Sequence, residues 1–292
     1  MTTANPGRGI IKDNGVVVLG SAGMLGHDLM NAFSDASREC IGLDIDELDI
    51  TDRAAVLKTL EEIGPSLVIN AAAYTNVDGA ETETDAAFKI NAEGVLNLAL
   101  ACKEIDAVMV HYSTDYVFDG AKKEGYSEDD PKNPLNAYGK SKAMGENNLV
   151  GTWDKHYLVR TSWLFGKNGK NFVKKILDAS ATKTELRVVG DQFGCPTYTQ
   201  DLAKKTKELV ENNAGFGTYH ITNSGSCSWH DFAKEILALK GLKNKIVKIA
   251  SEELKGPARR PRYSILLNNN TTALPDWKDA LRRYLLEEAV VT

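Results

Sequence analysis

Four consecutive apolar residues, Val16-Val17-Val18-Leu19, run directly into Gly20-Ser21-Ala22-Gly23-Met24-Leu25-Gly26, and an apolar pattern of helical period follows from Leu25 to Phe33. A strand with no polar face belongs inside a parallel sheet that is covered by helices on both sides. The three glycines lack a Cβ, so the chain can turn tightly, and backbone N–H groups can approach an anion at the start of the helix. Strand, glycine turn and helix together form the opening of a βαβ unit that holds a dinucleotide pyrophosphate on Gly20, Gly23, Met24, Leu25 and Gly26. Such a turn can also be purely structural, but its place after the first strand favours cofactor binding.

The following segments extend the same unit. Cys40 to Asp44 reads as a second strand ending in an acid about twenty residues past the glycines, where a carboxylate accepts the adenosine ribose hydroxyls. The competing reading of Asp44 is a solvated turn residue, since Asp46, Glu47 and Asp49 make the whole run acidic. Leu48-Asp49-Ile50 turns towards the adenine, with Thr51 or Asp52 capping the next helix. Leu67 to Ala73 is a third apolar strand whose terminal alanines let a cofactor lie close, and Phe88 to Ala99 reads as a helix carrying Asn91. The fold class expected is α/β, a Rossmann-like doubly wound parallel sheet with a smaller C-terminal α/β substrate lobe. Residues 15–170 supply mainly the first and 171–292 mainly the second, the two interleaved.

Composition narrows the function classes. The chain has 292 residues, 42% of them hydrophobic, which is enough for a sizeable core, and its net charge of -5 speaks against a nucleic-acid surface. No apolar run reaches bilayer length. The polar start, residues 1–14, is expected to be a disordered leader on a cytoplasmic protein. Cys40, Cys102, Cys195 and Cys227 form no Cys-x-x-Cys pair and the five histidines show no ligand spacing, so reduced thiols and no metal are expected.

The chemistry points to a later stretch. Val108 to Asp115 reads as a strand ending in hydroxyl residues; a polar loop follows, then Asn136-Ala137-Tyr138-Gly139-Lys140-Ser141-Lys142. On a helix, Tyr138 and Lys142 leave one face a turn apart. A phenol beside an ammonium is expected to have a lowered pKa and to serve as a general acid on a carbonyl.

Ser113-Thr114-Asp115-Tyr116-Val117-Phe118-Asp119-Gly120, Glu128-Asp129-Asp130-Pro131 and Pro134-Leu135-Asn136-x-Tyr138-Gly139-Lys140-Ser141-Lys142 together resemble the dTDP-4-dehydrorhamnose reductases, a family of extended short-chain dehydrogenases/reductases. The spacing Gly20-x-x-Gly23-x-x-Gly26 is typical of the same superfamily. The resemblance implies Thr114, Tyr138 and Lys142 as the catalytic set. It implies cofactor contacts also at Asp44, Asp49, Ile50, Ala73, Tyr74, Thr75 and Tyr112. It makes Asn91 a structural asparagine that orders a relay water, where the plainer alternative is a bond to neighbouring backbone. For a dTDP-sugar substrate it implies Thr114, Asp115, Trp163 and Arg260, the last as a diphosphate ligand; for Trp163, core packing is the alternative. The Asp191 to Thr197 run would shape the seam between the lobes.

The implied reaction is reduction of the C4 ketone of dTDP-4-dehydro-6-deoxy-L-mannose by NADH or NADPH. Asp44, with no arginine near it, favours NADH. Thr114-Asp115-Tyr116 lacks the glutamate a dehydratase of this fold uses, whereas an epimerase or a non-catalytic dinucleotide-binding regulatory subunit stays open. Some relatives form a homodimer through a magnesium site of glutamates. Here Asp28 and Gln200 stand at those positions, so the metal is not carried over and a homodimer is possible.

Overall fold

The computed structural model describes residues 15–34, 39–254 and 256–289. The expected leader, residues 1–14, lies outside them. The first half alternates strand and helix: β1 (Val16–Leu19), α1 (Met24–Phe33), β2 (Cys40–Leu43), α2 (Arg53–Ile63), β3 (Leu67–Asn70), α3 (Thr84–Phe88), α4 (Gly94–Glu104), β4 (Val108–Thr114), α5 (Ala137–Thr152) and β5 (His156–Thr161). Asp52 caps α2, its carboxylate accepting the N–H groups of Ala54 and Ala55 at 3.0 Å each. Asn136 caps α5 by accepting the Gly139 N–H at 2.7 Å, which starts that helix one residue before Tyr138.

The second half is less regular: β6 (Leu164–Phe165), α6 (Phe172–Thr182), β7 (Glu185–Val189), β8 (Phe193–Gly194), β9 (Thr197–Tyr198), α7 (Thr199–Glu211), β10 (Gly217–His220), β11 (Cys227–Ser228), α8 (Trp229–Leu239), β12 (Lys245–Ile249) and α9 (Trp277–Ala289). Six parallel strands form the central sheet in the order β10-β5-β4-β3-β1-β2. Chain order reverses at β1, flanked by β2 and β3, so a crevice opens at the carboxyl ends of these strands. β10 reaches this sheet from well beyond residue 170.

Both faces of the sheet are covered. Leu29, Phe33, Leu202 and Val210 from α1 and α7 pack with Val16, Val18 and Val110 on one side. Val56, Leu60, Val95 and Leu98 from α2 and α4 pack with Val17, Val68 and Met109 on the other. A separate core of Phe165, Tyr198, Phe232, Trp277 and Tyr284 joins α6, α8 and α9.

The expected single helix over Phe88 to Ala99 is instead α3 and α4 joined by a π-turn at Lys89–Glu93. The π-turn contains Asn91, whose side chain makes three hydrogen bonds. Its Oδ1 accepts the Tyr74 N–H at 2.9 Å, and its Nδ2 donates to the Tyr74 carbonyl and the Ser141 hydroxyl, each at 3.0 Å. Turns of this kind cluster at functional sites.

Behind α5 lies a buried charge network. Arg160 on β5 donates to Glu146 on α5 through Nε and Nη2 at 2.9 and 2.8 Å, and Lys132 approaches the same carboxylate at 3.1 Å. Arg160 Nη1 also donates to the Glu128 carbonyl at 3.0 Å. Burial alone would raise the Glu146 pKa, but the bonds and charges of Arg160 and Lys132 hold it below the usual carboxylate value. Removing one partner of such a pair strands the other. Arg160→Met is therefore expected to cost roughly 3–5 kcal/mol of unfolding free energy in a urea titration. A change under about 1 kcal/mol would mean that the pair does not hold α5 to the sheet.

Candidate active site

A cleft of about 820 Å³ opens where β1, β2, β3, β4 and β5 end. Gly20 forms its rim with a φ of 73°, and a Cβ there would stand 2.7 Å from the Ala72 nitrogen. A Cβ on Gly26 would stand 2.0 Å from the Gly20 carbonyl oxygen, so the turn closes only on glycine. Gly23 occupies the cap position of α1 and offers no side-chain acceptor. The first N–H groups of the helix at Met24, Leu25 and Gly26 thus lie at the cleft wall beside the positive end of the helix dipole.

Asp44, Asp49, Ile50, Ala73 and Thr75 all line this cleft. The Asp44 carboxylate accepts the Ala22 N–H at 3.0 Å and the Ile45 N–H at 2.8 Å, which sets it next to the glycine turn. Hydrogen bonds from the Thr51 backbone and side chain hold the Asp49 carboxyl below its ordinary pKa. Tyr74 is not on the wall: Asn91 clasps its backbone and its hydroxyl donates to Glu83 at 3.0 Å. Tyr112 lines the cleft, yet its phenol donates to the Thr206 hydroxyl on α7 at 2.7 Å. What Tyr112 gives the site is its carbonyl, which accepts from the Lys142 ammonium at 2.6 Å.

Lys142 is only 2% exposed. Burial lowers its pKa to about 8, opposed by the negative charge of Glu146 one turn further along α5. The Thr114 side chain lies beside the Tyr138 phenol, where the ends of β4 and α5 meet. The expected lowering of the Tyr138 pKa is not found. Burial pushes the phenol up to about 12, against the neighbouring Thr114 hydroxyl and helped by the charge of Asp115. The lysine does not offset this, because its ammonium is turned to the Tyr112 carbonyl. Asp115 accepts from Thr114 Oγ1 at 3.0 Å, and burial raises its carboxyl to about 7 despite hydrogen bonds from Ser264 and Thr114.

Arg260 and Trp163 lie beyond the wall of this cleft. Arg260 is already engaged: its guanidinium donates to Asp78 at 2.7 Å and to the Ala258 carbonyl at 3.2 Å, and it lies near the Tyr116 phenol. Tyr116 in turn meets Tyr138 edge to face, ring centres 5.9 Å apart. Trp163, with a left-handed φ of 48°, stacks on Trp229 at 3.4 Å. Asp28 is buried and accepts from Thr199 Oγ1 at 2.5 Å, and Gln200 donates to Glu287 at 2.9 Å. Among the described residues no group of three or more His, Cys, Asp or Glu is placed to hold a metal.

Sequence reasoning overlooked Asp78, Tyr116 and Thr161. Tyr116 stands inside the motif around Thr114 and could have been found there. Asp78 meets Arg260 across 182 positions, with no local signal. Thr161 ends β5 on the cleft wall, and its hydroxyl is buried without a partner among the described residues.

The Lys142 shift has a measurable sign. Its folded pKa, about 8, lies below the ordinary 10.5, so between these values the unfolded chain binds more protons and stability rises with pH. Wild type should gain stability relative to Lys142→Met as pH rises through that window in parallel denaturant titrations. A constant difference would mean that the lysine titrates normally.

Comparison with known proteins accords with this geometry. The sequence matches the family described as RmlD substrate binding domain over residues 14–290. It is 41% identical over 278 residues to the spore coat polysaccharide biosynthesis protein SpsK of Bacillus subtilis, covering 94% of this chain and 98% of that protein. A dTDP-4-dehydrorhamnose reductase of Clostridium acetobutylicum has a crystal structure similar at a TM-score of 0.91 and 43% identity, covering 94% of this chain and 99% of that one. The dTDP-4-dehydrorhamnose reductase of Bacillus anthracis, solved in complex with NADP, is similar at a TM-score of 0.91 and 40% identity, covering 93% and 98%. The chain belongs to the RmlD substrate binding domain family.

Proposed function

We propose that this protein is an NAD(P)H-dependent reductase of the C4 ketone of dTDP-4-dehydro-6-deoxy-L-mannose, yielding dTDP-L-rhamnose. The observation that carries the reading is that Tyr138 and buried Lys142 line the same cleft as the glycine turn, with Thr114 behind that wall beside the phenol. The names of the Clostridium and Bacillus anthracis relatives support the substrate class. The residues present fit a dinucleotide. Gly20 and Gly26 form a cradle that a Cβ would fill, and among the described residues the start of α1 has no side-chain cap and the Thr161 hydroxyl has no partner. A cytoplasmic site of action and a homodimer belong to the same reading.

The cofactor supplies hydride from its nicotinamide to the sugar carbon. Thr114 and Tyr138 hydrogen-bond the ketone oxygen, which fixes the carbonyl and stabilises the charge that develops on it. Tyr138, like any phenol near neutral pH, holds its proton at rest, and it gives that proton to the forming alkoxide. Lys142 holds the nicotinamide ribose hydroxyls. Arg260 binds the substrate diphosphate, which takes the place of the Asp78 carboxylate on its guanidinium.

Incubating the purified protein with the keto sugar and reduced cofactor tests this directly. Dinucleotide oxidation with formation of the rhamnose product is expected. Dinucleotide binding without turnover of any 4-keto sugar would instead indicate a regulatory subunit. Tyr138→Phe should lower kcat by about 10²–10⁴-fold while cofactor affinity barely changes. Substantial residual turnover would mean that another group donates the proton.

Cofactor choice follows from Asp44. Its carboxylate at the cleft wall accepts ribose hydroxyls and repels a 2′-phosphate, and Gly20 to Gly26 carries no arginine to offset it. NADH is the expected preference, and Asp44→Ala should shift the ratio of catalytic efficiencies towards NADPH. A wild type that prefers NADPH, or a ratio unmoved by the substitution, sinks the assignment.

A further inference from the structure

A dinucleotide brings two negative charges on its pyrophosphate, and Gly20 to Gly26 contains no charged side chain to meet them. The charged residues on the cleft wall are Asp44, Asp49, Lys142 and Lys170. Lys142 is committed at the opposite end, to the Tyr112 carbonyl. That leaves Lys170, which no sequence motif singled out.

Lys170 belongs to the segment 166–171 that follows β6. Asn171 draws its two ends together, its Nδ2 donating to the Gly166 carbonyl at 2.8 Å, and also caps α6 by accepting the Lys174 N–H at 3.0 Å. The same amide reaches Met24 Sδ at 3.8 Å. At the tip, a Cβ on Gly169 would stand 3.4 Å from Met24 Cβ and 4.0 Å from the Met24 nitrogen. Met24 is the first residue of α1. The tip therefore lies over the helix N-terminus where an anion is favoured.

The neighbouring lysines of this segment are occupied elsewhere. Lys167 pairs with Glu287 at 2.9 Å, and Lys174 donates to the Lys167 carbonyl and approaches Glu288 at 3.8 Å. Lys170 is exposed and makes no hydrogen bond or ion pair among the described residues. It is a cation held at the mouth of an anion site with no anion of its own.

We propose that Lys170 is a cofactor ligand whose ammonium meets the dinucleotide pyrophosphate from the wall facing the glycine turn. The anion then lies between the first N–H groups of α1 and a full positive charge. This assignment rests on the dinucleotide reading given above and adds the residue that neutralises the phosphates. The pyrophosphate is common to both cofactors, so Lys170 contributes to affinity and not to the choice between them.

The test is Lys170→Met, an exposed position whose substitution leaves the core untouched, with Lys170→Arg and Lys175→Met beside it. Lys175 borders the adjoining hollow but not the main cleft. NADH and NADPH are titrated separately into each full-length protein by calorimetry, at low and high salt. Lys170→Met should weaken both cofactors about tenfold, with kcat at saturating cofactor unchanged. Lys170→Arg should restore most of the affinity, Lys175→Met should match wild type, and the gap should narrow in high salt. Unchanged affinities in Lys170→Met overturn the proposal and leave the functional reading intact. An effect on NADPH alone overturns it in favour of a 2′-phosphate contact, and an equal effect in Lys175→Met overturns it in favour of a diffuse surface field. A wild type that binds neither dinucleotide overturns both this proposal and the dinucleotide reading.

Discussion

The buried Lys142 ammonium, held by the Tyr112 carbonyl at 2.6 Å, is the contact on which the arrangement of the site depends. A cation out of water is costly unless it is bonded and neutralised. The carbonyl belongs to β4 and the lysine to α5, so the bond that satisfies the charge also fixes the helix against the strand. Tyr138, one turn earlier on α5, is thereby set beside Thr114 at the end of β4. Glu146, one turn later, supplies negative charge and is itself held by Arg160 on β5. Three residues at intervals of four, Tyr138, Lys142 and Glu146, thus carry a phenol, a cation and a carboxylate along one helix.

The other end of α5 couples the two halves of the chain. Asn136 caps the helix through its Oδ1, and its Nδ2 donates to the Arg259 carbonyl at 2.8 Å. The neighbouring Arg260 closes on Asp78 from the loop after β3 and on Tyr116 after β4. One short segment, Ala258 to Arg260, therefore touches the start of α5 and the two loops that follow the central strands β3 and β4. An anion that drew Arg260 away from Asp78 would act on the same polar cluster that borders Tyr138 through Tyr116.

Much of this was readable from residue order, because the signals were local. Val16 to Leu19 and the three glycines announced β1, the turn and α1, and the acid expected after β2, Asp44, does stand on the cleft wall. Tyr138 and Lys142 needed only a helix start, which Asn136 supplies. What escaped the sequence depends on contacts between distant segments. Asp78 finds Arg260 only once β3 and the C-terminal region are folded together. Lys170 reaches the cleft because Asn171 folds back on Gly166 and seats Gly169 over Met24, a loop shape that no periodicity encodes. The π-turn at Asn91 was missed for a similar reason: its partners, Tyr74 and Ser141, lie 17 and 50 residues away.

The Tyr138 pKa was misjudged in direction, and the physical reason bears on how the site works. Spacing placed an ammonium next to a phenol; it did not reveal that the lysine would be buried and the phenol partly so, or that the ammonium would be turned to a carbonyl. Burial disfavours each charged form, raising the tyrosine to about 12 and lowering the lysine to about 8. At neutral pH the pair therefore rests as a neutral phenol and a charged lysine. In the proposed reaction that is the state from which the ketone is reduced, since the proton to be delivered is already on the phenol. Oxidation of the alcohol would begin from phenolate, the form that burial opposes. Burial cannot alter the overall equilibrium between ketone and alcohol. Nor does it decide the resting state at neutral pH, where a phenol of ordinary pKa, about 10, is already protonated; it widens the margin by which Tyr138 keeps its proton.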